Sequence, residues 1–174
     1  SGLTIPIIYN TSGYDRVETL KLLEGLIDIY LPDFKYYNDK LGKYSNISNY
    51  FETASLALKE MYRQVGKLRY NKDGILVKGM IVRHLVLPNN YDDSKKIIKY
   101  LYDYYKDNII ISIMNQYTII RKLEYSELND KVDEKEYDEI INYAYDLGVR
   151  NAFIQEDSSQ SDSFLPSFKG DMII

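Results

Sequence analysis

The sequence predicts an α/β fold in which parallel strands form a sheet or a barrel, and two observations carry this prediction. Short apolar segments alternate with segments of helical periodicity, at intervals that suit βα units. Polar residues directly follow several of the apolar segments, as they do where parallel strands end at a binding edge.

Strands are predicted where a short apolar segment is flanked by turn-forming residues. In chain order these segments are Thr4 to Tyr9, Ile27 to Leu31, Ile75 to Leu87, Ile109 to Met114 and Ala152 to Ile154. Helices are predicted between them, where apolar residues recur at helical spacing behind an acidic or polar start. These segments are Asp15 to Glu24, Tyr50 to Val65, Asp92 to Tyr105 and Asp133 to Leu147, the last followed by Gly148.

Composition limits the classes of function. The 174 residues suit one domain, and the hydrophobic and charged fractions, 45% and 28%, are typical of folded globular chains. A net charge of -4 disfavours binding to nucleic acid or to anionic membranes. No apolar segment is long enough to span a bilayer and no signal peptide pattern is present, so a cytoplasmic location is expected.

The chain contains no cysteine, which excludes disulfides and cysteine-held iron–sulfur clusters from this stretch of polypeptide. Its single histidine, His84, follows Arg83 in a predicted strand, and alternation places the two side chains on opposite faces. A histidine packed beneath a helix is therefore favoured over a catalytic one. The 19 tyrosines are spread along the chain, so most are interpreted as packing residues.

Polar residues stand at the carboxyl ends of four predicted strands, where ligands of parallel sheets gather. They are Asn10, Thr11 and Ser12 after the first strand, Asp33 and Lys35 after the second, Arg83 in the third, and Asn115 and Tyr117 after the fourth. We expect these side chains to face one binding edge.

Each of these positions also has a structural interpretation. Asn10 to Gly13 is a turn sequence in which Ser12 can cap the next helix, and Tyr117 can be a packing residue. Asp33 and Lys35 can form an exposed ion pair. Arg83 differs, because a guanidinium among apolar residues is costly to bury without an anionic partner. Asp33 or the carboxylate of a ligand would supply that partner.

The four strand ends carry short sequences that recur together in one known family. They are Tyr9-Asn10-Thr11-Ser12-Gly13-Tyr14, Leu31-Pro32-Asp33-Phe34-Lys35-Tyr36, Arg83-His84-Leu85-Val86-Leu87-Pro88 and Met114-Asn115-Gln116-Tyr117. With these sequences in this order, from about Leu3 to Glu156, the chain resembles radical S-adenosylmethionine proteins. The resemblance is to the branch similar to pyruvate formate-lyase-activating enzyme.

The resemblance implies a partial (β/α) TIM-like barrel, of which residues 1–156 are the C-terminal half and residues 157–174 a tail. In such proteins a CxxxCxxC loop of the first half holds a 4Fe–4S cluster that binds S-adenosylmethionine. Reductive cleavage of that cofactor gives a 5′-deoxyadenosyl radical for hydrogen abstraction, so the cofactor carries the chemistry. This chain would form a wall of the cavity, would contain no catalytic residue or metal ligand, and would be inactive without its N-terminal half.

By motif, the resemblance implies that the strand-end residues contact the cofactor: Asn10, Thr11, Ser12, Asp33, Lys35, Arg83, Asn115 and Tyr117. Asn10 stands where activating enzymes have an acidic residue, so an ionic contact there becomes a neutral hydrogen bond. Tyr117 falls close to a family histidine. These departures leave the substrate open, and a glycyl-radical protein is the partner that the resemblance implies.

Two other functions fit the same residues. The chain can be a self-contained small α/β domain that binds a carboxylate metabolite through Lys35 and Arg83. It can also be a non-catalytic interaction domain, for which a tyrosine-rich surface is the supporting feature.

The ends of the chain add further expectations. Gly2 and Leu3 directly precede the first strand, as after a helix that ends on glycine, which predicts that polypeptide precedes Ser1 unless Ser1 and Gly2 derive from an expression tag. The first strand would then be an apolar edge that favours a homodimer. The polar segment Asp157 to Ser163 predicts a loosely held tail, for which Phe164, Leu165 and Phe168 are the candidate docking residues.

Overall fold

A computed structural model of the chain describes residues 5–117, 123–154 and 163–164. Contacts divide the chain into two compact units, Ser1–Arg83 and His84–Ile174. Each unit combines helices with a sheet that contains parallel strands, which confirms the α/β fold class. Within the described residues, no helix has the length and apolar character needed to cross a bilayer.

The first unit contains a small sheet with helices on one of its faces. Its elements are β1 (Ile8–Thr11), α1 (Val17–Lys21), β2 (Ile29–Pro32), a 3-10 helix (Asp39–Ser45), α2 (Tyr50–Val65), β3 (Arg69–Tyr70) and β4 (Leu76–Leu85), whose last two residues enter the second unit. Strand β1 pairs in parallel with β2, and β2 pairs in parallel with β4. The short β3, which the sequence did not predict, pairs antiparallel with β4.

The two faces of this sheet differ in burial. On the helical face, Tyr30, Met80 and Val82 are fully buried, and the Tyr30 hydroxyl donates to Gln64 of α2 at 2.7 Å. The opposite face, called the open face below, is partly exposed and carries Ile8, Asn10, Leu31, Asp33, Ile81 and Arg83 in register across the three strands. The strand tips therefore present their polar side chains on a face that helices α1 and α2 do not cover.

Helix α2 has the predicted bounds, and local signals account for its buried stripe and its C-terminal end. The backbone N–H of Phe51 in the first turn donates to the Asp39 carboxylate at 3.0 Å. Fully or nearly fully buried residues recur at helical spacing, namely Ala54, Leu58, Met61 and Val65. Gly66, with φ at +68°, ends the helix in a conformation that glycine tolerates.

The second unit contains α3 (Tyr91–Tyr105), β5 (Ile110–Met114), α4 (Glu134–Leu147), β6 (Ala152–Ile154) and β7 (Ser163–Phe164). Strand β5 pairs in parallel with β6, and β7 pairs antiparallel with β6. The Asp133 side chain caps α4 by accepting from the Glu136 N–H at 3.1 Å, and Gly148 ends the helix at φ +109°. Both ends of α4 agree with the prediction.

The buried side of this second unit includes His84, which is 2% exposed and lies 2.9 Å from the Ser94 hydroxyl of α3. The prediction of a packed histidine beneath a helix is confirmed.

Several predicted bounds are wrong by a few residues. The helix predicted over Asp15 to Glu24 is shorter, because beyond Lys21 the backbone turns with 3-10-type bonds such as Leu23 N–H to Leu20 O at 2.9 Å. The first strand is Ile8–Thr11 rather than Thr4 to Tyr9, since the Ile7 N–H donates to the Asp28 side chain. Thr4 lies outside the described residues.

The remaining strands are shifted or trimmed in the same way. Strand β2 begins and ends later than Ile27 to Leu31, β4 is shorter than Ile75 to Leu87, and β5 starts one residue after Ile109. Strand β6 has the predicted bounds. At the tail, the strand Ser163–Phe164 was not predicted, because the polar segment before it contains no strand signal, but the backbone of Phe164, one of the predicted docking residues, does pair with Phe153. Ser1, Gly2, Leu3, Leu165, Phe168 and the predicted boundary after Glu156 lie outside the described residues.

Candidate functional site

In the first unit, three side chains from three neighbouring parallel strands meet where the carboxyl ends of these strands lie side by side. The Arg83 Nη2 atom lies 2.7 Å from Asp33 Oδ1 and donates at 2.7 Å to Asn10 Oδ1. The Lys35 Nζ atom lies 3.9 Å from the other oxygen of Asp33. We call Asn10, Asp33, Lys35 and Arg83 the rim cluster. The prediction that Arg83 needs an anionic partner is confirmed, and of the two partners considered the structure shows Asp33.

Backbone hydrogen bonds carry the strand pairing into this cluster. The Asp33 N–H donates to Thr11 O at 2.9 Å, and the Phe34 N–H donates to Arg83 O at 2.7 Å. A parallel bridge joins Asp33 to Arg83 directly beyond the last regular pair of β2 with β4. The positions of the two charged side chains are therefore fixed by the sheet rather than by a flexible loop.

The rim cluster has an excess of positive charge. Lys35 and Arg83 contribute two cations against the single carboxylate of Asp33, and Asn10 is neutral. The side chains of Asp33, Arg83 and Lys35 are 25%, 27% and 35% exposed, so the cluster is only partly screened by water. This arrangement favours an anionic group in contact with Lys35.

Arg83 retains hydrogen-bonding capacity after these contacts. Its Nε atom is buried and has no hydrogen-bond partner among the residues that the structure describes. A buried guanidinium N–H without a partner is costly. A ligand oxygen that accepted from this N–H, after a small shift of the Arg83 side chain, would remove that cost.

Thr11 and Ser12 have different environments from the rim cluster. The Thr11 hydroxyl donates to the Asp15 carboxylate and accepts from the Gly13 N–H at 3.2 Å, on the face that carries Tyr9. Burial, and then Asp15, raises the pKa of Tyr9. Asp15 was not predicted as part of this network, because only the turn geometry brings its carboxylate back to β1.

The predicted capping role of Ser12 is wrong. Helix α1 begins at Val17, its N-cap residue is Arg16, and no side chain caps it. The turn after β1 keeps Ser12 too far from the helix start to serve there. Instead, the Ser12 carbonyl accepts from the Tyr50 hydroxyl at 3.4 Å.

Tyr50 is the main residue of this site that the sequence did not reveal. It is fully buried at the start of α2, and its hydroxyl accepts from the Lys35 N–H at 2.9 Å. The Asp33 carbonyl lies 3.3 Å from the same hydroxyl. A tyrosine-rich sequence contains no local signal that separates this residue from the others.

Asn115 and Tyr117 belong to the second unit, where they directly follow β5. The Tyr117 N–H donates to Asn115 O at 2.7 Å, and the Tyr117 hydroxyl donates to Leu128 O at 2.9 Å. Burial raises the pKa of Tyr117. The structural interpretation of Tyr117 therefore has direct support, and a ligand contact by either residue stays a prediction.

The donor set at this site suits an organic ligand rather than a metal cluster. No group of three or more His, Cys, Asp or Glu side chains within residues 5–117, 123–154 and 163–164 is arranged to hold a metal ion. With no cysteine in its sequence, the chain also offers no thiolate to an iron–sulfur cluster. The ammonium, guanidinium and amide of the rim cluster match carboxylate and hydroxyl groups instead.

Comparison with known proteins gives one relative and no family assignment. No protein-family model and no solved structure matches the chain. An uncharacterized protein of Methanocaldococcus jannaschii is 30% identical over 144 residues, which are 80% of this chain and 38% of that relative. The chain therefore spans well under half the length of the curated relative that it matches.

Proposed function

We propose that this chain forms one wall of the cofactor and substrate cavity of a radical S-adenosylmethionine protein similar to the pyruvate formate-lyase-activating enzymes. The rim cluster is the observation that supports the proposal. Asn10, Asp33 and Arg83 come from three strand ends that belong to three of the family-like sequences, and Arg83 lies 2.7 Å from each of the other two. A site built from separate strand ends is how parallel α/β folds bind ligands.

Each residue of the rim cluster has its own role in binding the cofactor. Lys35 and Arg83 bind the carboxylate of S-adenosylmethionine, and Asp33 orients both cations through its two oxygens. Asn10 donates to the cofactor through its amide NH2 group, because its amide oxygen already accepts from Arg83. With a reduced 4Fe–4S cluster as the one-electron donor, the chemistry that the bound S-adenosylmethionine would supply is a 5′-deoxyadenosyl radical for hydrogen abstraction, with methionine as the other product.

The other predicted contacts have smaller roles in this proposal. The Thr11 hydroxyl is engaged by Asp15 and Gly13, so Thr11 shapes the turn beside the ligand. Ser12 contributes through its backbone. Contacts of Asn115 and Tyr117 with the cofactor stay part of the proposal on the sequence resemblance alone.

A half-barrel architecture belongs to the same proposal. In the first unit, parallel strands carry α1 and α2 on one face and leave the open face partly exposed. A (β/α) barrel has helices outside and its ligand site at the carboxyl ends of the strands, and the open face carries its charged residues, Asp33 and Arg83, at that end. The second unit also contains parallel strands and helices, as a further part of the barrel would.

The whole protein would be an oxidoreductase or activase, and this chain alone would be inactive. The relative from Methanocaldococcus jannaschii is much longer than the matched segment, which supports a parent protein with polypeptide outside this chain. That polypeptide would contain the CxxxCxxC loop and the 4Fe–4S cluster. A glycyl-radical-type protein is the proposed partner, and a cytoplasmic location is proposed with it.

The test compares two proteins by calorimetric titration with S-adenosylmethionine. One is the 174-residue chain, and the other is the full gene product after anaerobic iron–sulfur reconstitution. We expect the full product to turn brown and to bind S-adenosylmethionine, whereas the chain alone does not. A full product that encodes no CxxxCxxC motif before this chain, or that assembles a cluster without binding the cofactor, would contradict the proposal.

A carboxylate-binding domain is the second candidate, because the rim cluster has net positive charge without help from other polypeptide. In that case the chain alone would bind small carboxylates such as succinate, and Arg83→Ala would abolish the binding. A non-catalytic interaction domain would instead retain all function in the full product after Arg83→Ala.

A further inference from the structure

We infer that Tyr50 is a positioning residue whose hydroxyl fixes the backbone of the rim cluster at Asp33 and Lys35. The identity of the ligand, S-adenosylmethionine, rests on the proposed function, whereas the effect of Tyr50 on the backbone of Asp33 and Lys35 does not. Tyr50 touches neither Nζ of Lys35 nor the carboxylate of Asp33 in the contacts described above, so it acts through the main chain.

The hydroxyl of Tyr50 contacts two strand ends at once. It accepts from the Lys35 N–H at 2.9 Å, and it has two acceptors within reach of its own O–H, Asp33 O at 3.3 Å and Ser12 O at 3.4 Å. Lys35 lies beyond the last residue of β2, where the regular ladder no longer holds the backbone. The Tyr50 hydroxyl thus supplies the Lys35 N–H with the acceptor that a neighbouring strand would otherwise provide.

Gly13 holds the same segment from another direction. A Cβ atom at Gly13 would lie only 2.0 Å from Asp33 O, so the turn after β1 packs directly against that carbonyl. The Asp33 carbonyl is therefore confined between the Gly13 backbone and the Tyr50 hydroxyl. This confinement sets the direction in which the Asp33 and Lys35 side chains leave the backbone.

The ring of Tyr50 is held independently of its hydroxyl. Tyr14 stacks on it at 6.0 Å between centroids, Tyr36 meets it edge-on at 5.2 Å, and Phe34 lies 6.2 Å away. Removing only the hydroxyl should leave the ring in place, because aromatic packing supplies most of its contacts. Burial raises the pKa of Tyr50, so the hydroxyl stays protonated and able to donate at neutral pH.

The test uses Tyr50→Phe with Tyr14→Phe as its matched control. Both variants lose one phenolic hydroxyl from the same stacked pair, but the Tyr14 hydroxyl donates to Ser48 O rather than to the strand ends. In the 174-residue chain, amide hydrogen exchange of Lys35 should be about tenfold faster in Tyr50→Phe, because its acceptor is lost. In Tyr14→Phe the rate should stay within about twofold of the wild type.

A second readout separates positioning from general stability. In the reconstituted full product, Tyr50→Phe should raise the Kd for S-adenosylmethionine about five- to tenfold. In a Lys35→Ala background the same substitution should change the Kd by less than about twofold, because the group that Tyr50 positions is already absent.

An equal effect in both backgrounds, or unchanged exchange at Lys35, would overturn the inference. If the wild-type product does not bind S-adenosylmethionine, the proposed function fails and the exchange measurement alone decides the role of Tyr50.

Discussion

The guanidinium of Arg83 and the carboxylate of Asp33 are joined at 2.7 Å across two parallel strands, and a bridge between their backbones holds them in register. The arginine therefore does not depend on a ligand for charge compensation. The positive charge that remains in the rim cluster is that of Lys35, whose Nζ atom lies 3.9 Å from Asp33 and whose side chain is 35% exposed.

The first prediction concerns the energy of this pair. A double-mutant cycle with Asp33→Ala and Arg83→Ala should give a coupling free energy of about 1–3 kcal/mol, because both groups are about three-quarters buried. Urea denaturation of the four proteins measures it. The same cycle on the exposed pair Lys99 and Asp103, one turn apart on α3, should give a clearly smaller value. Equal coupling for the two pairs would show that the sheet does not strengthen the Asp33–Arg83 contact.

The second prediction concerns the close approach of the β1 turn to Asp33. Gly13 and Gly25 both have φ at +79°, but only Gly13 has a neighbour in the space of a Cβ atom. Gly25→Ala should lower the free energy of unfolding by about 1 kcal/mol, from backbone strain alone. Gly13→Ala should lower it by about 2–4 kcal/mol, since the backbone must also move away from the Asp33 carbonyl. Thermal or urea unfolding compares the two, and similar losses would count against the close packing.

The third prediction concerns acid stability. Hydrogen bonds from Arg63 and then Gln64 lower the pKa of Glu60 from 4.5 to about 2. A carboxylate with a lowered pKa in the folded state stabilises the fold above its unfolded pKa, and this contribution disappears as the pH falls from about 4.5 towards 2. Glu60→Gln should therefore flatten the dependence of unfolding free energy on pH in this window.

Arg63→Gln is the companion variant for that measurement. It removes the largest cause of the lowered pKa, so it should flatten the same part of the curve while Glu60 is still present. A wild-type slope in both variants would mean that other carboxylates account for the acid sensitivity.

The sequence predicted those features that depend on local signals. Helix α4 was predictable because Asp133 caps it and Gly148 ends it. The cost of burying a guanidinium predicted an anionic partner for Arg83, and Asp33 was one of the two partners considered. The position of β1 was not predictable, since an apolar run does not say which of its N–H groups will pair with a strand. Ile7 donates to the Asp28 side chain instead.

Long-range contacts explain the rest of what was missed. The role of the Tyr50 hydroxyl depends on the backbone of Lys35, Asp33 and Ser12, which meet it only after α2 packs on the sheet. Asp15 likewise reaches Thr11 only through the turn after β1. No periodicity or spacing in the sequence predicts hydrogen bonds that form only when the chain has folded.

The fourth prediction concerns the edge of the first sheet. Among the described residues β1 pairs with β2 alone, and Ile5 and Ile8 beside this edge are 68% and 57% exposed. We propose that two copies of the chain associate through this apolar edge, because an unpaired strand offers both hydrogen bonds and apolar area. Sedimentation velocity should show a dimer that Ile8→Lys converts to monomer.

The matched control for the edge is Leu22→Lys. Leu22 is 80% exposed just after α1, so this substitution adds the same charge away from the strand edge and should leave the dimer intact. A wild-type chain that stays monomeric at all concentrations would contradict the prediction, as would equal dissociation by the two variants.

We propose that the rim cluster binds S-adenosylmethionine, and Lys35 tests this binding most directly because its charge is the one not compensated at close range by Asp33. The measurement is the Kd of the reconstituted full product for S-adenosylmethionine in three forms: wild type, Lys35→Ala and Lys67→Ala. Lys67 is exposed between α2 and β3, so its loss changes the net charge equally at a different place. We expect Lys35→Ala to weaken binding at least about tenfold and Lys67→Ala to leave it within about twofold. Equal affinity of all three proteins for the cofactor would contradict the claim.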